Sequence, residues 1–440
     1  MADAPHLKQG VGLISVIALG LGLAVGVSIF SVIAPATALA GPAMLLAVAL
    51  AAVPMFIIAV TYAFMGSALP TAGASYEWPR RFLSPATGFM IAWLRIAGSV
   101  GAMLILALVL TRYVSMLVPV PTKATMLGVF VLIFGLNLWG VAIAARVQTV
   151  LMAGLIVLFF VFAGWGAPSV QPDSFTPFMS EGWAGVLAAT PVLIGLFFGI
   201  EAATEVGDEV RNSRRAIPIG VAASIVSAMI LYLMVAAVAL GVLGPQALAA
   251  SETPVLDAAA VFMGDDLARP VIVLAAVLAI GKSLNALAMV FSRYLFAMAR
   301  AGALPSPLAR VHPRFQTPHI ALAVAFGLCV LGLLAPMNLT ALFLAVNVPT
   351  LLKYGATCLS ATRIARHHPE IHAQAAFRPS RRFVAIWGWM GVVASFVVVL
   401  LGLTADWRPY VALTVWGLIG AAWYLVRGRF GVGPVSRSAS

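Results

Sequence analysis

Charge is what this sequence has least of. Only 9% of its 440 residues are Asp, Glu, Lys or Arg, against 62% hydrophobic. Soluble domains are about a quarter charged, so that class is excluded. Acid is the scarcer sign, 14 residues against 26 basic ones, for a formal net charge of +12. Cysteine is nearly absent. Cys329 and Cys358 both sit in apolar runs, where a free thiol packs as a small hydrophobe, so no disulfide framework is expected. Histidine is confined: His6, His312, His319, His367, His368 and His372 lie in the N-terminal tail or in polar stretches between apolar runs. An intramembrane acyltransferase or protease needs a buried base or metal ligands. None is apparent, so no enzyme, metal or cofactor is expected. No phosphate-cradling GxxxxGK[ST] loop occurs either, which argues against direct use of ATP.

Long apolar runs are what the chain has in abundance. A hydrocarbon core of ~30 Å needs about 20 apolar residues per spanning helix. A transmembrane barrel would instead show alternating strands of ~10 residues. Here the runs are continuous and rich in Leu, Ala and Val. About twelve spans are expected, over 11–33, 41–65, 86–117, 124–143, 147–168, 185–207, 217–243, 268–300, 319–335, 340–362, 382–403 and 408–426. The first run exceeds a signal-peptide core and is read as a retained helix. The stretches between spans are too short for a folded soluble domain. The expected class is an all-α polytopic membrane protein.

The basic residues carry the topology. With the N-terminus inside, the inner loops hold Lys8, Arg80, Arg81, Arg146, Arg211, Arg214, Arg215, Arg300, Arg310, Arg314, Arg363, Arg366, Arg378, Arg381, Arg382, Arg427, Arg429 and Arg437. The outer loops hold only Lys123, Arg269 and Arg408. Cytoplasmic loops concentrate Lys and Arg, so both termini are expected in the cytoplasm of a cell whose inner (plasma) membrane the chain spans many times. The excess positive charge then suits anionic lipid and gives no reason to expect nucleic acid.

Two spans are interrupted in corresponding places. The first contains GLGLAVGVSIF from Gly20 to Phe30, and the sixth contains GLFFGIE from Gly195 to Glu201. Glycine inside a helix costs about 1 kcal/mol relative to alanine. Small residues also serve close helix packing. The matched positions, first in each of two successive five-helix sets, favour a midplane binding site between repeats. A broken helix frees N–H groups for a carboxylate and carbonyls for an ammonium, and a zwitterionic amino acid supplies both. The candidate substrate-binding positions are Gly22, Val25, Gly26, Val27 and Ser28, with Phe197, Phe198, Gly199 and Ile200. Phe30 and Trp93 are further aromatics within reach, and Gly195 leaves room for a substrate side chain.

Together with GPA at Gly41, YAFMGSALPTAGASYEW (Tyr62–Trp78), GFMIAW from Gly88, FFGIEAATEVGDEVRNSRRAIP and SRYLFAMARAGALPSPLARVHPRFQTP (Ser292–Pro318), these motifs resemble the amino acid–polyamine–organocation transporter superfamily over nearly the whole chain. The resemblance implies a leucine-transporter-type fold. Residues 11–168 would form the first five-helix repeat, 184–363 the inverted second repeat, and 382–426 two extra helices. It also implies alternating access around a substrate held by the first, third, sixth, eighth and tenth spans. Three positions depart from the pattern: Ser28 replaces the second glycine of the first-span motif, Ser213 replaces a proline, and Leu155 stands where many members carry a lysine in a sodium-like site.

Five ionisable residues fall well inside spans: Arg95, Glu201, Glu205, Lys282 and Lys353. Each costs at least ~2.5–3.5 kcal/mol at a helix centre, so each marks a site by default. Arg112 and Arg293 lie nearer span ends, where a long side chain can snorkel or serve structural contacts. Arg95 and Glu201 both sit roughly 10–12 Å inward from the same end at ~1.5 Å per residue. An Arg95–Glu201 ion pair is therefore expected, either as a gate or as a static tie. On a helix, Glu205 would share the face of Glu201. Two carboxylates so close in a dry site do not both ionise easily, which makes either a proton carrier; a solvated Glu205 is the alternative. Lys282 would supply the cation that Leu155 cannot. Lys353, beside Tyr354, would face the pocket or pair with Glu205; Tyr354 is assigned with the gate.

The expected function is secondary transport of an amino acid, sodium-independent, coupled to protons or to exchange. The rivals are a transporter of an organic amine, polyamine or other small organic ion, and a sensor that binds without transporting. A polycation is disfavoured by Arg95 and the buried lysines. A sensor would usually carry an added signalling domain.

Overall fold

The computed structural model describes residues 9–26, 28–334, 339–405 and 408–427, with backbone alone for 28, 31, 339–345, 401–405 and 409. Every regular element among them is helical; Val11 with Val210 and Ala72 with Val206 form only isolated bridges. In chain order the helices are α1 (Leu13–Ala24), α2 (Ser28–Ser31), α3 (Ile33–Ala40), α4 (Met44–Ala68), α5 (Ala74–Phe82) and α6 (Pro85–Ser115). Then come α7 (Thr122–Leu138), α8 (Val141–Gly166), α9 (Gly182–Ile194), α10 (Ser213–Ala250), α11 (Pro254–Met263) and α12 (Asp265–Arg300). The last are α13 (His319–Gly332), α14 (Leu339–His367), α15 (Pro369–Gln374), α16 (Arg381–Ala405) and α17 (Arg408–Val426).

Seven described stretches are long and apolar enough to cross a bilayer: Ile33–Ala68, Pro85–Ser115, Val141–Ser169, Gly182–Glu205, Ser213–Ala250, Asp265–Arg300 and Arg381–Leu400. The chain is an all-α polytopic membrane protein. Apolar side chains such as Leu132, Val150, Phe160 and Leu418 stay exposed on its outer surface, where lipid rather than water is the solvent. Cys329 and Cys358 are free and buried.

Two expected spans are not continuous helices. The first, 11–33, stops at Ala24 and resumes at Ser28. The sixth, 185–207, is α-helical only to Ile194 and continues as short 3-10 turns to Glu209. Among the described residues α5, α11 and α15 lie wholly outside the expected spans, and α3 does so in all but its first residue. Where caps are clear the boundaries follow them. Ser84 accepts from the Thr87 N–H at 3.0 Å, and Pro85 opens α6, as a capped start requires.

In the interior, α12 packs against α6, α8 and α1, while α14 packs against α16 and α6. Amides cross-link these helices. Asn137 Nδ2 donates to Asn285 Oδ1, Asn285 Nδ2 donates to Gln148 Oε1, and Gln148 Nε2 donates to the Ala18 carbonyl, at 3.0, 3.0 and 3.1 Å. A Cβ at Gly22 would collide with the Gln148 side chain, so this glycine makes the close approach possible.

A second knot lies at the end of the bundle where the arginines gather. The Glu209 carboxylate takes a two-point ion pair from Arg293, at 2.7 and 2.9 Å, with both side chains fully buried. The Glu209 carbonyl accepts from the N–H groups of Gly10 and Val11, each at 3.0 Å. Of the two roles open to Arg293, snorkelling and a structural contact, it takes the second: the side chain turns inward because a buried acid meets it. Arg112, in contrast, is exposed.

Breaking a buried ion pair from one side costs about 3–5 kcal/mol. Arg293→Ala should therefore lower the melting temperature of the detergent-purified protein strongly. Arg112→Ala should change stability by no more than about 0.5 kcal/mol. Equal melting temperatures for the two variants would contradict the assignment.

Candidate functional site

The two helix breaks meet at one cavity of about 170 Å³. Leu23 and Gly26 line it from the first break, Gly195, Phe198, Gly199 and Glu201 from the second. Arg95, Gly98 and Ser99 come from α6, Ser283 and Leu287 from α12, and Asn347, Thr350 and Lys353 from α14.

The first break begins where α1 ends at Val25, whose ψ of 73° leaves the helical region. Its carbonyls are met by α12, that of Leu21 while it still accepts from the Val25 N–H at 2.8 Å. Lys282 Nζ donates to the carbonyls of Leu21 at 3.4 Å and Gly22 at 3.2 Å, and closely to that of Val25. Ser283 Oγ lies 2.6 Å from the Gly22 carbonyl. Lys282 is fully buried, and all its hydrogen-bond partners are carbonyls. Val27 lies outside the described residues, as does the side chain of Ser28.

The second break turns at Gly199, whose φ of 100° is one that L side chains rarely adopt. A Cβ there would also run into Leu23. Gly195 is different: a Cβ would meet nothing within 4 Å, so this wall is open. The Tyr232 hydroxyl lies 2.7 Å from the Ala24 carbonyl and 2.7 Å from the Leu196 carbonyl. With one proton it can donate to either, and it ties the two breaks together.

Glu201 is the acid of the cavity. Its Oε1 takes a close ion pair from Lys353 Nζ, and its Oε2 accepts from the Tyr354 hydroxyl at 2.9 Å. The same hydroxyl accepts from the Gly199 N–H at 3.1 Å. The Lys353 ammonium also lies 4.5 Å from the Tyr354 ring centroid and 5.7 Å from that of Tyr62, a favourable cation–π arrangement.

The expected Arg95–Glu201 ion pair does not form here. Both residues line the cavity, but Glu201 is already satisfied by α14. Arg95 Nη1 donates instead to Thr350 Oγ1 at 2.8 Å, and its Nε is buried without an acceptor. Glu205 also departs from expectation. It is neither solvated nor paired with Lys353. Its carboxylate accepts from the Ser75 N–H at 3.2 Å and closely from Ser75 Oγ, so it caps the start of α5. The reason is local: after Gly199 the chain winds as 3-10 turns. With three residues per turn, residues four apart no longer share a face.

Gly22, Val25, Phe197, Ile200, Tyr354 and Lys282 stand behind the lining rather than on it. Of the expected aromatics, Phe198 lines the cavity, whereas Phe197 packs on Tyr232, Trp93 on Trp416, and Phe30 on Tyr113 and Phe159. Sequence reasoning missed Ser99, Ser283, Asn347 and Thr350. Helical spacing could have found two of them. Ser99 is four residues after Arg95 and Thr350 three before Lys353, so each shares a face with a charge already singled out.

Two broken helices and three charged side chains of this multi-pass bundle line one cavity, and the likeness to amino acid permeases makes the chain a membrane transporter rather than an enzyme. A profile described as amino acid permease matches residues 11–422, and the chain belongs to that family. It is 30% identical to an uncharacterized transporter of Mycobacterium tuberculosis over 92% of this chain and 89% of that protein. It is 29% identical to the methylthioribose transporter of Bacillus subtilis, covering 93% and 91%. It is 26% identical to the branched-chain amino acid permease BcaP of Bacillus subtilis, covering 96% and 94%.

The ion pair between Glu201 and Lys353 makes a checkable demand. Glu201→Gln and Lys353→Met should each destabilise the purified protein by about 3–5 kcal/mol, because each leaves a buried charge alone. The double variant should recover part of that loss. Additive losses would show that the two side chains do not depend on one another.

Proposed function

We propose that this protein is a secondary transporter of amino acids that works by alternating access in the inner (plasma) membrane. The observation that carries this reading is the cavity itself, which touches both helix breaks at once. Backbone groups at the breaks would hold the substrate's ammonium and carboxylate. Residues 11–168 and 184–363 would form the two inverted repeats that rock about this site. The arginine-rich end, with Arg80, Arg211, Arg214 and Arg215, would face the cytoplasm, and with it both termini.

Transport would be sodium-independent. The Lys282 ammonium sits among carbonyls at the first break, a place that would otherwise suit a monovalent cation. A fixed ammonium does the same electrostatic work without an ion to release. The driving force would be a proton gradient or exchange. Glu201 is the proton-carrying candidate, because losing its charge would free Lys353 and Tyr354 and let α14 part from the second break. Glu205 is a weaker candidate for that role, since it is engaged with Ser75.

Uptake into proteoliposomes tests this. Labelled amino acid should accumulate when the outside is acidified or when amino acid is preloaded inside, and replacing sodium with potassium should change nothing. Hydrogen bonds to a charged group contribute about 1.5–3 kcal/mol each, so Lys282→Ala should cut uptake by roughly tenfold or more. Sodium-stimulated uptake in the unmodified protein, or full activity in Lys282→Ala, would overturn the sodium-independent reading. Uptake that ignores both the proton gradient and preloaded substrate would overturn the coupling.

A further inference from the structure

The cavity wall holds two cations, Arg95 and Lys353, but a single carboxylate, Glu201. That carboxylate belongs to Lys353 and Tyr354. Arg95 has no acid partner among the described residues. It is 8% exposed, donates from Nη1 to a neutral hydroxyl, and keeps a buried Nε with no acceptor. The next carboxylate along the chain, Glu205, lies outside the lining and is engaged by Ser75. Lys282, just behind the wall, adds a further cation whose partners are all carbonyls.

A buried guanidinium without a counter-charge is costly. It persists in a site if the missing anion arrives with the ligand. A neutral zwitterion brings one charge of each sign and leaves the excess as it was. We propose that the substrate carries a net negative charge: an amino acid with a side-chain carboxylate, which reaches Arg95. The neighbouring groups suit such an end. Ser99 and Thr350 offer hydroxyls, Asn347 an amide, and a guanidinium pairs with a carboxylate in a two-point geometry. This rests on the cavity being the substrate site of the transporter proposed above.

The test is binding to the full-length purified protein, followed by proteoliposome uptake, with glutamate, aspartate, leucine, alanine and succinate as probes. Losing one partner of a desolvated charge pair costs about 2 kcal/mol or more, which is about 30-fold in affinity. The unmodified protein should therefore prefer glutamate or aspartate to leucine and alanine by that order. Arg95→Gln should remove the preference while Arg95→Lys restores part of it. The wild-type panel decides even if a variant misfolds. A protein that binds leucine or alanine as well as glutamate would overturn the acidic substrate and leave amino acid transport standing. Binding of succinate but of no amino acid, lost in Arg95→Gln, would keep the anionic site and overturn the amino acid reading. Binding of none of the five would overturn both.

Discussion

A charge in a dry interior has to be answered by another group of the same chain. Water is not available at that depth to solvate it. Three of the buried acids illustrate the rule in different ways. Glu209 is answered by the guanidinium of Arg293, Glu201 by the ammonium of Lys353 and the hydroxyl of Tyr354, and Glu205 by the amide and hydroxyl of Ser75. Lys282 is answered by backbone carbonyls that a broken helix has left without intrahelical partners. Arg95 is the charge with the least adequate answer, and it lies on the cavity wall.

The same rule governs the backbone. Unwinding a helix at mid-membrane exposes polar groups, which is tolerated only where protein or an aqueous cavity meets them. At the first break Lys282, Ser283 and Tyr232 provide the donors. At the second, Tyr354 accepts from Gly199 and Tyr232 reaches Leu196. The breaks are thus held by side chains from α10, α12 and α14. Tyr232 of α10 reaches both, so a movement of α10 would be felt at both breaks, whereas α12 bears on the first and α14 on the second.

How much of this was legible beforehand differs by residue. Lys282 and Lys353 were recognisable as site residues because a charge inside an apolar run is hard to explain otherwise. Gly26 and Gly199 were recognisable because glycines recur at matching places in two spans. For Arg293 the position near a span end left both snorkelling and a structural contact open, and nothing local announced that Glu209 would be buried opposite it. Glu205 was misplaced because its spacing from Glu201 was read on an α-helix, while the chain there winds in 3-10 turns around Gly199. The short helices α5, α11 and α15 were missed because they lie between apolar runs and carry no membrane-length signal.

The sequence by itself determined that this chain crosses a membrane many times, that its first and sixth spans are interrupted, and that a few charges lie inside its spans. Those features follow from composition and from spacing along one helix, where residue positions alone set the geometry. Partner choice was decided only by the tertiary structure. Whether Glu201 meets Arg95 or Lys353 depends on how α6, α14 and the unwound segment lie against one another. That arrangement is set by packing between helices far apart in the chain, and an ångström of displacement separates a pair from a near miss.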